Sequence, residues 1–199
     1  MSGFLLTIEG GEGTGKSTLA ARLEATLEEK GIEVVLSREP GGTPEGDALR
    51  GVLLGHQLAP ETELDLLLAG RAHHCVTVVA PALARGAWVI LDRFIDSSLA
   101  YQAGERPGWN QEVLALSRLA AGEVWPDLTL WLDMDAAKGL SRAKGDASFE
   151  QRELSFHNRV RDGYAQIARN DPQRVKRLDI DEMDADAVFE WALNQLEIQ

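Results

Sequence analysis

A glycine-rich segment near the start of the chain has the residue types and spacing of a phosphate-binding loop, or P-loop. Residues 10–17 read Gly-Gly-Glu-Gly-Thr-Gly-Lys-Ser and satisfy the pattern G-x-x-x-x-G-K-[ST]. Glycine suits such a loop because the backbone must wrap closely around phosphate oxygens and point successive N–H groups inward. The lysine would reach the terminal phosphates of a nucleoside triphosphate, and the serine hydroxyl would contact Mg²⁺. We therefore assign nucleotide binding to Gly10, Gly11, Glu12, Gly13, Thr14, Gly15, Lys16, Ser17 and Thr18.

The flanking sequence separates this loop from an ordinary glycine-rich turn. An apolar run of residues 4–9 precedes it, and a helical pattern begins at Lys16, which is the context that a P-loop requires. The loop alone does not define the reaction, because switches, motors and kinases all contain it. A GTP-binding switch would also carry N-K-x-D and D-x-x-G, and neither pattern occurs in the 199 residues.

Four segments supply the positive charge that phosphoryl transfer needs. Cations are required around the donor, the acceptor and the moving group, because the phosphate oxygens otherwise repel one another. The segments are Arg38-Glu-Pro-Gly-Gly-Thr43, Arg71, Asp92-Arg93-Phe94, and a late stretch with Arg142, Lys144, Arg152, Arg159 and Arg161. For Arg71 and the late stretch the alternative is a solvated helix face, and for Arg93 it is a structural ion pair.

The scaffold that must position these residues follows from hydrophobic patterning. Apolar runs without helical period predict strands at residues 4–9, 32–37, 87–92, 128–133 and 175–180. Helical spacing predicts helices over residues 16–30 and 61–85, the second kinked or interrupted by Pro81. Strands alternating with helices predict a parallel α/β sheet, whose ligands bind beyond the carboxyl ends of the strands. Those ends hold Glu9, Arg38, Asp92 and Arg93.

Length and composition limit the class of protein. A chain of 199 residues that is 44% hydrophobic suits one compact domain spanning residues 1–199. The net charge of -12 argues against a nucleic-acid polymer as partner. No run of roughly 18 consecutive apolar residues indicates a membrane span, and there is no signal pattern at the N-terminus. With Cys75 as its single cysteine, the protein is expected to be cytoplasmic.

With these motifs in order, the chain resembles bacterial thymidylate kinase over nearly its whole length. The most specific matches are residues 10–18, Arg38-Glu-Pro-Gly-Gly-Thr43, and Asp92-Arg-Phe-Ile-Asp-Ser-Ser-Leu-Ala-Tyr-Gln102. The resemblance implies a three-layer P-loop NTPase-type fold with a five-stranded parallel sheet flanked by helices. It also implies a homodimer that converts ATP and dTMP to ADP and dTDP with Mg²⁺.

The resemblance further implies roles for individual residues. Glu12 matches the carboxylate near the 3′-hydroxyl of the acceptor sugar, Arg93 the arginine that bridges the phosphates, and Arg71 the arginine that reads the thymine edge. Asp92 would hold Mg²⁺ together with Ser17. The other acceptor-site residues it implies are Arg38, Leu67, Ser98, Tyr101 and Gln102, where Tyr101 would exclude a ribose 2′-hydroxyl.

The chain departs from the family pattern at two places. Leu67 stands where the family usually has an aromatic residue that stacks on thymine. In a short lid segment, at about residues 138–154, the family commonly has Asp-Arg before a glutamate, whereas this chain has Ala147-Ser148-Phe-Glu150. Lys16, Arg93 and Glu12 are expected to be catalytic. Because the P-loop has no arginine, we expect a further catalytic cation to come from the lid. The candidates are Arg142, Lys144 and Arg152.

Two other functions remain open at the level of sequence. One is a kinase of the same fold that prefers a different nucleoside or nucleotide acceptor, which the substitution at Leu67 permits. The other is a regulatory P-loop protein that binds ATP without transferring phosphate. A carboxylate in the P-loop and several arginines directed toward an acceptor anion argue against the regulatory alternative.

Overall fold

The sheet is all parallel, as the alternation of strands and helices predicts. The computed structural model describes residues 3–102, 109–143 and 149–196 of the chain. The strands are β1 (Phe4–Gly10), β2 (Val34–Arg38), β3 (Trp88–Asp92), β4 (Leu128–Asp133) and β5 (Val175–Asp179). Their order across the sheet is β2-β3-β1-β4-β5. The strand order places the P-loop strand β1 at the centre, between β3 and β4.

Helices connect the strands and cover both faces of the sheet. Their bounds are α1 (Lys16–Glu29), α2 (Pro44–Gly55), α3 (Pro60–His74), α4 (Ala80–Ala84), α5 (Ile95–Tyr101), α6 (Asn110–Ala121), α7 (Ala136–Arg142), α8 (Leu154–Asn170) and α9 (Ala185–Gln195). The predicted three-layer fold with a five-stranded parallel sheet is therefore confirmed.

Alternate residues of the central strand feed two separate cores. Leu6 and Ile8 of β1 pack with the apolar faces of α1 and α9 on one side of the sheet. Leu5 belongs to a second cluster on the other side, together with Val79 and Phe94. Because successive side chains of a strand point to opposite faces, a continuous apolar run such as β1 is what a strand covered on both faces requires.

Strand β2 begins later than its apolar pattern predicts. The sequence predicts residues 32–37, whereas the strand runs over Val34–Arg38. Ile32 instead closes the preceding helix, since its amide donates to the carbonyl of Leu27 at 3.1 Å. Gly31 makes this possible with a φ of 77°, in the left-handed region that glycine adopts without strain.

The long helix predicted over residues 61–85 is interrupted, as Pro81 requires. It consists of α3, a π-helical turn over Cys75–Val79, and the short α4. Proline has no N–H to donate and its ring crowds the carbonyl four residues earlier, so a widened turn just before it relieves both problems. Among the described residues, Pro60–Ala84 is the one helical segment that is long and apolar enough to cross a membrane. Only 28% of its most apolar stretch is buried in the protein. It carries the buried cation Arg71 and packs on α2 and α6.

Candidate active site

The P-loop joins the end of β1 to α1 and depends on glycine for its shape. Gly13 and Gly15 have φ values of 68° and 85°, where side chains are strained. A Cβ at Gly13 would also lie 2.1 Å from the carbonyl oxygen of Gly139 in α7. The loop therefore packs closely against α7 and leads into the N-terminus of α1, where an anion is favoured.

Lys16 is held against the loop that it serves. Its Nζ donates to the carbonyl of Gly11 at 2.6 Å and to the Thr14 hydroxyl at 3.2 Å. Burial, together with the positive charge of Arg93, lowers the pKa of the Lys16 ammonium to about 8. The surroundings therefore disfavour the charged form of Lys16, and a bound phosphate anion would favour it.

Ser17 and Asp92, the two residues for which the family resemblance implies a metal site, meet at the carboxyl edge of the sheet. The Ser17 hydroxyl donates to Asp92 Oδ2 at 2.5 Å. A hydroxyl and a carboxylate are the oxygen ligands that Mg²⁺ takes beside nucleotide phosphates, so these two side chains fit the predicted ion. Among the described residues there is no group of three or more His, Cys, Asp or Glu side chains that could hold a metal.

Glu12 is the P-loop residue that reaches the end of β3. Its Oε1 accepts from Arg93 Nη2 at 2.9 Å and from the Tyr101 hydroxyl at 2.8 Å. Burial would raise the pKa of Glu12, but Arg93, Lys16 and the Tyr101 hydrogen bond outweigh it and lower the pKa to about 2. The carboxylate is therefore ionised at neutral pH, and the partner that its position demands is supplied within the protein by Arg93.

The backbone of Arg93 is unusual and is braced by a buried carboxylate. Arg93 has a φ of 71°, the only positive value for a non-glycine residue among the described residues. Immediately after it, the amides of Phe94 and Ser97 donate to Glu9 Oε1 at 2.8 and 3.3 Å. The Tyr164 hydroxyl donates to Glu9 Oε2 at 2.8 Å. Strained residues persist where the surroundings hold them in place, and Glu9 provides that restraint for Arg93.

A cavity beside the P-loop gathers most of the predicted acceptor residues. We call it the arginine cavity, and Glu12, Leu67, Arg71, Arg93, Ser98, Tyr101 and Gln102 all line it. Its other lining residues carry no assignment from the sequence. They are Glu39, Pro40, Arg50, Leu54, Phe94, Ser97, Phe149 and Glu150.

Arg71 is fixed rigidly at the base of the arginine cavity. Its side chain is 1% exposed and pairs with Glu39 at 2.8 Å, and Nη2 donates to the carbonyl of Phe94 and to the Ser98 hydroxyl, both at 3.1 Å. Glu39 also contacts Nδ1 of the buried His74 at 3.1 Å. The alternative that Arg71 belongs to a solvated helix face is therefore wrong. A planar guanidinium held in this way can present fixed donors to a ligand.

Arg38 does not join the arginine cavity, although the sequence assigns it to the acceptor site. Its exposed side chain pairs with Asp47 at 2.9 Å and lines a neighbouring groove with Ser17 and Asp92. Arg50 of α2 takes a place in the arginine cavity instead, where it donates to the carbonyl of Pro40 at 2.9 Å. No motif marks Arg50, so only the path of α2 reveals it.

The two arginines predicted to belong to a lid, Arg142 and Arg152, lie in different places. Arg142 at the end of α7 lines a second cavity with Gly13 and Thr18, here called the P-loop cavity. Arg152 instead pairs with Glu63 of α3, away from the lining of the P-loop cavity. Lys144, Ala147 and Ser148 lie outside the described residues.

The fold and site together define a P-loop phosphotransferase, with one cavity on each side of the loop. The family model for thymidylate kinase matches residues 8–189. The thymidylate kinase of Magnetococcus marinus is 45% identical over 189 residues, covering 92% of this chain and 90% of the relative. That of Thermomicrobium roseum is 46% identical over 200 residues, covering 95% and 93%. This chain belongs to the thymidylate kinase family.

A solved structure agrees with this assignment. The crystal structure of thymidylate kinase from Ehrlichia chaffeensis has a TM-score of 0.82 and 32% sequence identity to this chain, with both chains fully covered. These comparisons confirm the resemblance to thymidylate kinase that the P-loop, the Arg38 segment and the Asp92 segment indicate.

Proposed function

We propose that this protein transfers the γ-phosphate of ATP to dTMP, giving ADP and dTDP. The observation that carries the proposal is the shared boundary of two binding sites. Glu12 belongs to the P-loop, and with its partner Arg93 it also lines the arginine cavity. A donor phosphate held by the loop and an acceptor phosphate in that cavity would therefore meet at one carboxylate–guanidinium pair. That is the geometry that phosphoryl transfer between two nucleotides requires.

The charged residues divide the work between donor and acceptor. The P-loop amides and Lys16 hold the β- and γ-phosphates, because Lys16 can exchange its bond to the Gly11 carbonyl for a phosphate oxygen. Arg93 lies at the junction and neutralises charge on the transferring group. Arg50 brings a further guanidinium to the acceptor side. Arg38, which lines the groove at Ser17, would support the phosphates from the metal side.

The remaining residues of the arginine cavity orient the nucleoside. Arg71 and Ser98 offer donors to the base carbonyls, and Gln102 Oε1 is buried without a hydrogen-bond partner among the described residues. A buried amide oxygen without a partner is costly, so the imide N–H of thymine would satisfy it. Glu12 would accept from the 3′-hydroxyl, and Tyr101, which is hydrogen-bonded to it, would help to exclude a ribose 2′-hydroxyl.

We place one Mg²⁺ at Ser17 and Asp92, in contact with the ATP phosphates. It would neutralise phosphate charge and orient the γ-phosphate, while the serine hydroxyl and the carboxylate fix its position. We also propose that the chain acts as a single kinase domain in which residues at about 138–154 form a lid. Arg142 is its catalytic arginine, because it already lines the P-loop cavity.

Exposed apolar residues support a homodimer. A cytoplasmic location is also proposed, which suits a chain whose single cysteine is buried and unpaired. Val76, Leu116 and Leu119 are 73%, 42% and 80% exposed. Val76 lies on the π-helical turn that follows α3, and Leu116 and Leu119 lie on α6, which packs against α3. Exposed apolar patches on soluble proteins mark interaction sites. Leu119→Arg should convert a dimer to a monomer in analytical ultracentrifugation, and an unchanged sedimentation coefficient would exclude this face.

The decisive experiment measures ADP production by the purified protein with ATP and Mg²⁺. The acceptors tested in parallel are dTMP, dUMP, UMP, CMP, AMP, GMP and thymidine. Rapid turnover with dTMP and slower turnover with dUMP would support the proposal, and Lys16→Ala should abolish both. Preference for another acceptor would indicate a different nucleotide kinase. ATP binding without turnover of any acceptor would favour the regulatory alternative.

A further inference from the structure

Residues 149–153 line the arginine cavity at one end and contact α3 at the other. We call them the roof segment. Phe149 and Glu150 line the cavity from this segment. Two residues further on, the Arg152 guanidinium forms an ion pair with the Glu63 carboxylate. Glu63 is 1% exposed, so the pair is largely shielded from water.

Arg152 contacts two aromatic side chains, Phe149 in the roof segment and Phe156 in α8. Its guanidinium carbon lies 4.5 Å from the ring centroids of both Phe149 and Phe156. Phe149 in turn meets Tyr101 edge to face, with ring centroids 5.9 Å apart. Tyr101 is hydrogen-bonded to Glu12. Arg152 therefore connects α3 to the ring of Phe149 by a cation–π contact. Phe149 in turn packs on Tyr101, the residue that is hydrogen-bonded to the P-loop carboxylate.

Glu63 lies on the face of α3 that already serves the arginine cavity. Glu63, Leu67 and Arg71 are spaced by four residues, so their side chains follow one another along the same face of the helix. Leu67 and Arg71 line the cavity, and Glu63 continues this face toward the roof.

We propose that Arg152 is a positioning residue for the acceptor nucleotide, whose ion pair with Glu63 holds Phe149 and Glu150 over the arginine cavity. This rests on the proposed function and changes the role that the sequence gives to Arg152. An arginine that lies over two phenylalanines and pairs with a buried carboxylate of α3 acts on the acceptor side. Arg142, in the P-loop cavity, acts on the donor side.

The test is a double-mutant cycle of Glu63→Gln, Arg152→Gln and the two combined, with Arg152→Lys as the conservative variant. Asp65→Asn is the matched control, because it removes a carboxylate from an exposed position of the same helix. We expect KM for dTMP to rise roughly tenfold in each single variant, with no further rise in the combined variant, as for residues acting as a pair. KM for ATP should change less than about twofold, and Arg152→Lys should recover part of the loss. Asp65→Asn should match the parent protein.

Hydrogen exchange gives a readout that a general loss of stability would not reproduce. Binding of dTMP should protect the amides of residues 149–156 in the parent protein, and this protection should be weaker in the variants. If Glu63→Gln fails to fold, because the site is buried, Arg152→Gln and Arg152→Lys carry the test.

Three results would overturn the proposal. The first is a fall in kcat or a rise in KM for ATP without an effect on KM for dTMP, which would return Arg152 to the donor side. The second is additive effects in the combined variant, and the third is kinetics equal to those of the parent. Failure of the parent protein to phosphorylate dTMP would instead refute the proposed function, so the two failures are distinguishable.

Discussion

Glu12 and Arg93 form an ion pair 2.9 Å long that joins the P-loop to the end of β3. The two residues come from loops 81 positions apart in the sequence, brought together because β1 and β3 are adjacent parallel strands. A carboxylate inside a phosphate-binding loop would repel a phosphate if it stood alone. With Arg93 beside it, the pair presents one acceptor for a sugar hydroxyl and one cation for phosphate.

Glu12→Gln should therefore impair catalysis more than folding. The amide keeps the shape of the side chain but loses the charge that orients Arg93 and would accept the sugar hydroxyl. Losing a charged hydrogen bond of about 1.5–3 kcal/mol corresponds to a fall in kcat/KM for dTMP of roughly 10- to 150-fold. Steady-state kinetics measure it. Glu28→Gln, at an exposed position of α1, should match the parent, and equal kinetics in both variants would remove Glu12 from the mechanism.

The brace between Glu9 and the Arg93 turn predicts a pH dependence. Burial and the neighbouring charge of Asp96 raise the pKa of Glu9 to about 7, against hydrogen bonds from Ser97 and Tyr164 and the charge of Arg93. As pH falls through about 7, Glu9 becomes neutral, and an uncharged carboxyl holds the Phe94 and Ser97 amides less strongly than a carboxylate does. The restraint on Arg93 weakens, so kcat should decline on the acid side of pH 7.

Glu9→Gln isolates this effect, because an amide does not titrate. The variant should have a lower kcat that no longer declines with a midpoint near pH 7, measured at saturating ATP and dTMP. The substrate phosphate titrates near pH 6 in both proteins, so the difference between the two pH profiles is the signal. Parallel profiles for parent and variant would contradict the prediction.

Local signals explain which parts of the fold and site are predictable from sequence. The apolar runs of β1, β3 and β4 and the P-loop are contiguous segments, so their pattern defines the element and the chemistry together. The contact of Ser17 with Asp92 is also predictable, because parallel strands bring their carboxyl ends to one edge. The assignment of Leu67, Ser98 and the other cavity residues came from family resemblance rather than from periodicity.

The positions and partners of residues that depend on long-range packing could not be predicted from the sequence. Arg50 carries no motif and enters the arginine cavity only because α2 crosses above it. Arg38 stands in a motif, yet its side chain points to Asp47 and the groove at Ser17. Arg152 finds Glu63 at a separation of 89 residues, which no local pattern encodes.

The packing of α7 against the P-loop predicts a sharp contrast between two glycines. A Cβ at Gly139 would lie 2.4 Å from the carbonyl oxygen of Glu12, a backbone atom that cannot move without distorting the loop. Gly51, in the middle of α2, has nothing within 4 Å of the same position. Gly139→Ala should therefore raise KM for ATP at least roughly tenfold, since mispositioned phosphate contacts are costly to transfer.

Gly51→Ala is the matched control for that substitution. It should leave KM for ATP unchanged and stabilise the protein by about 0.5–1 kcal/mol, because alanine favours a helix over glycine. Urea unfolding measures the stability of both variants. If Gly139→Ala binds ATP as the parent does, the contact between α7 and the loop is not required for nucleotide binding.

Leu67 lines the arginine cavity at a position where an aromatic ring would face the base. Leu67→Phe should lower KM for dTMP by about 2- to 12-fold, the equivalent of about 0.5–1.5 kcal/mol for a well-placed aromatic contact. Stacking does not read the 5-methyl group, so KM for dUMP should fall by a similar factor while the preference for dTMP stays constant. Kinetics with both nucleotides measure this. A rise in both KM values would mean that Phe149 already fills the space and that the added ring overpacks the cavity.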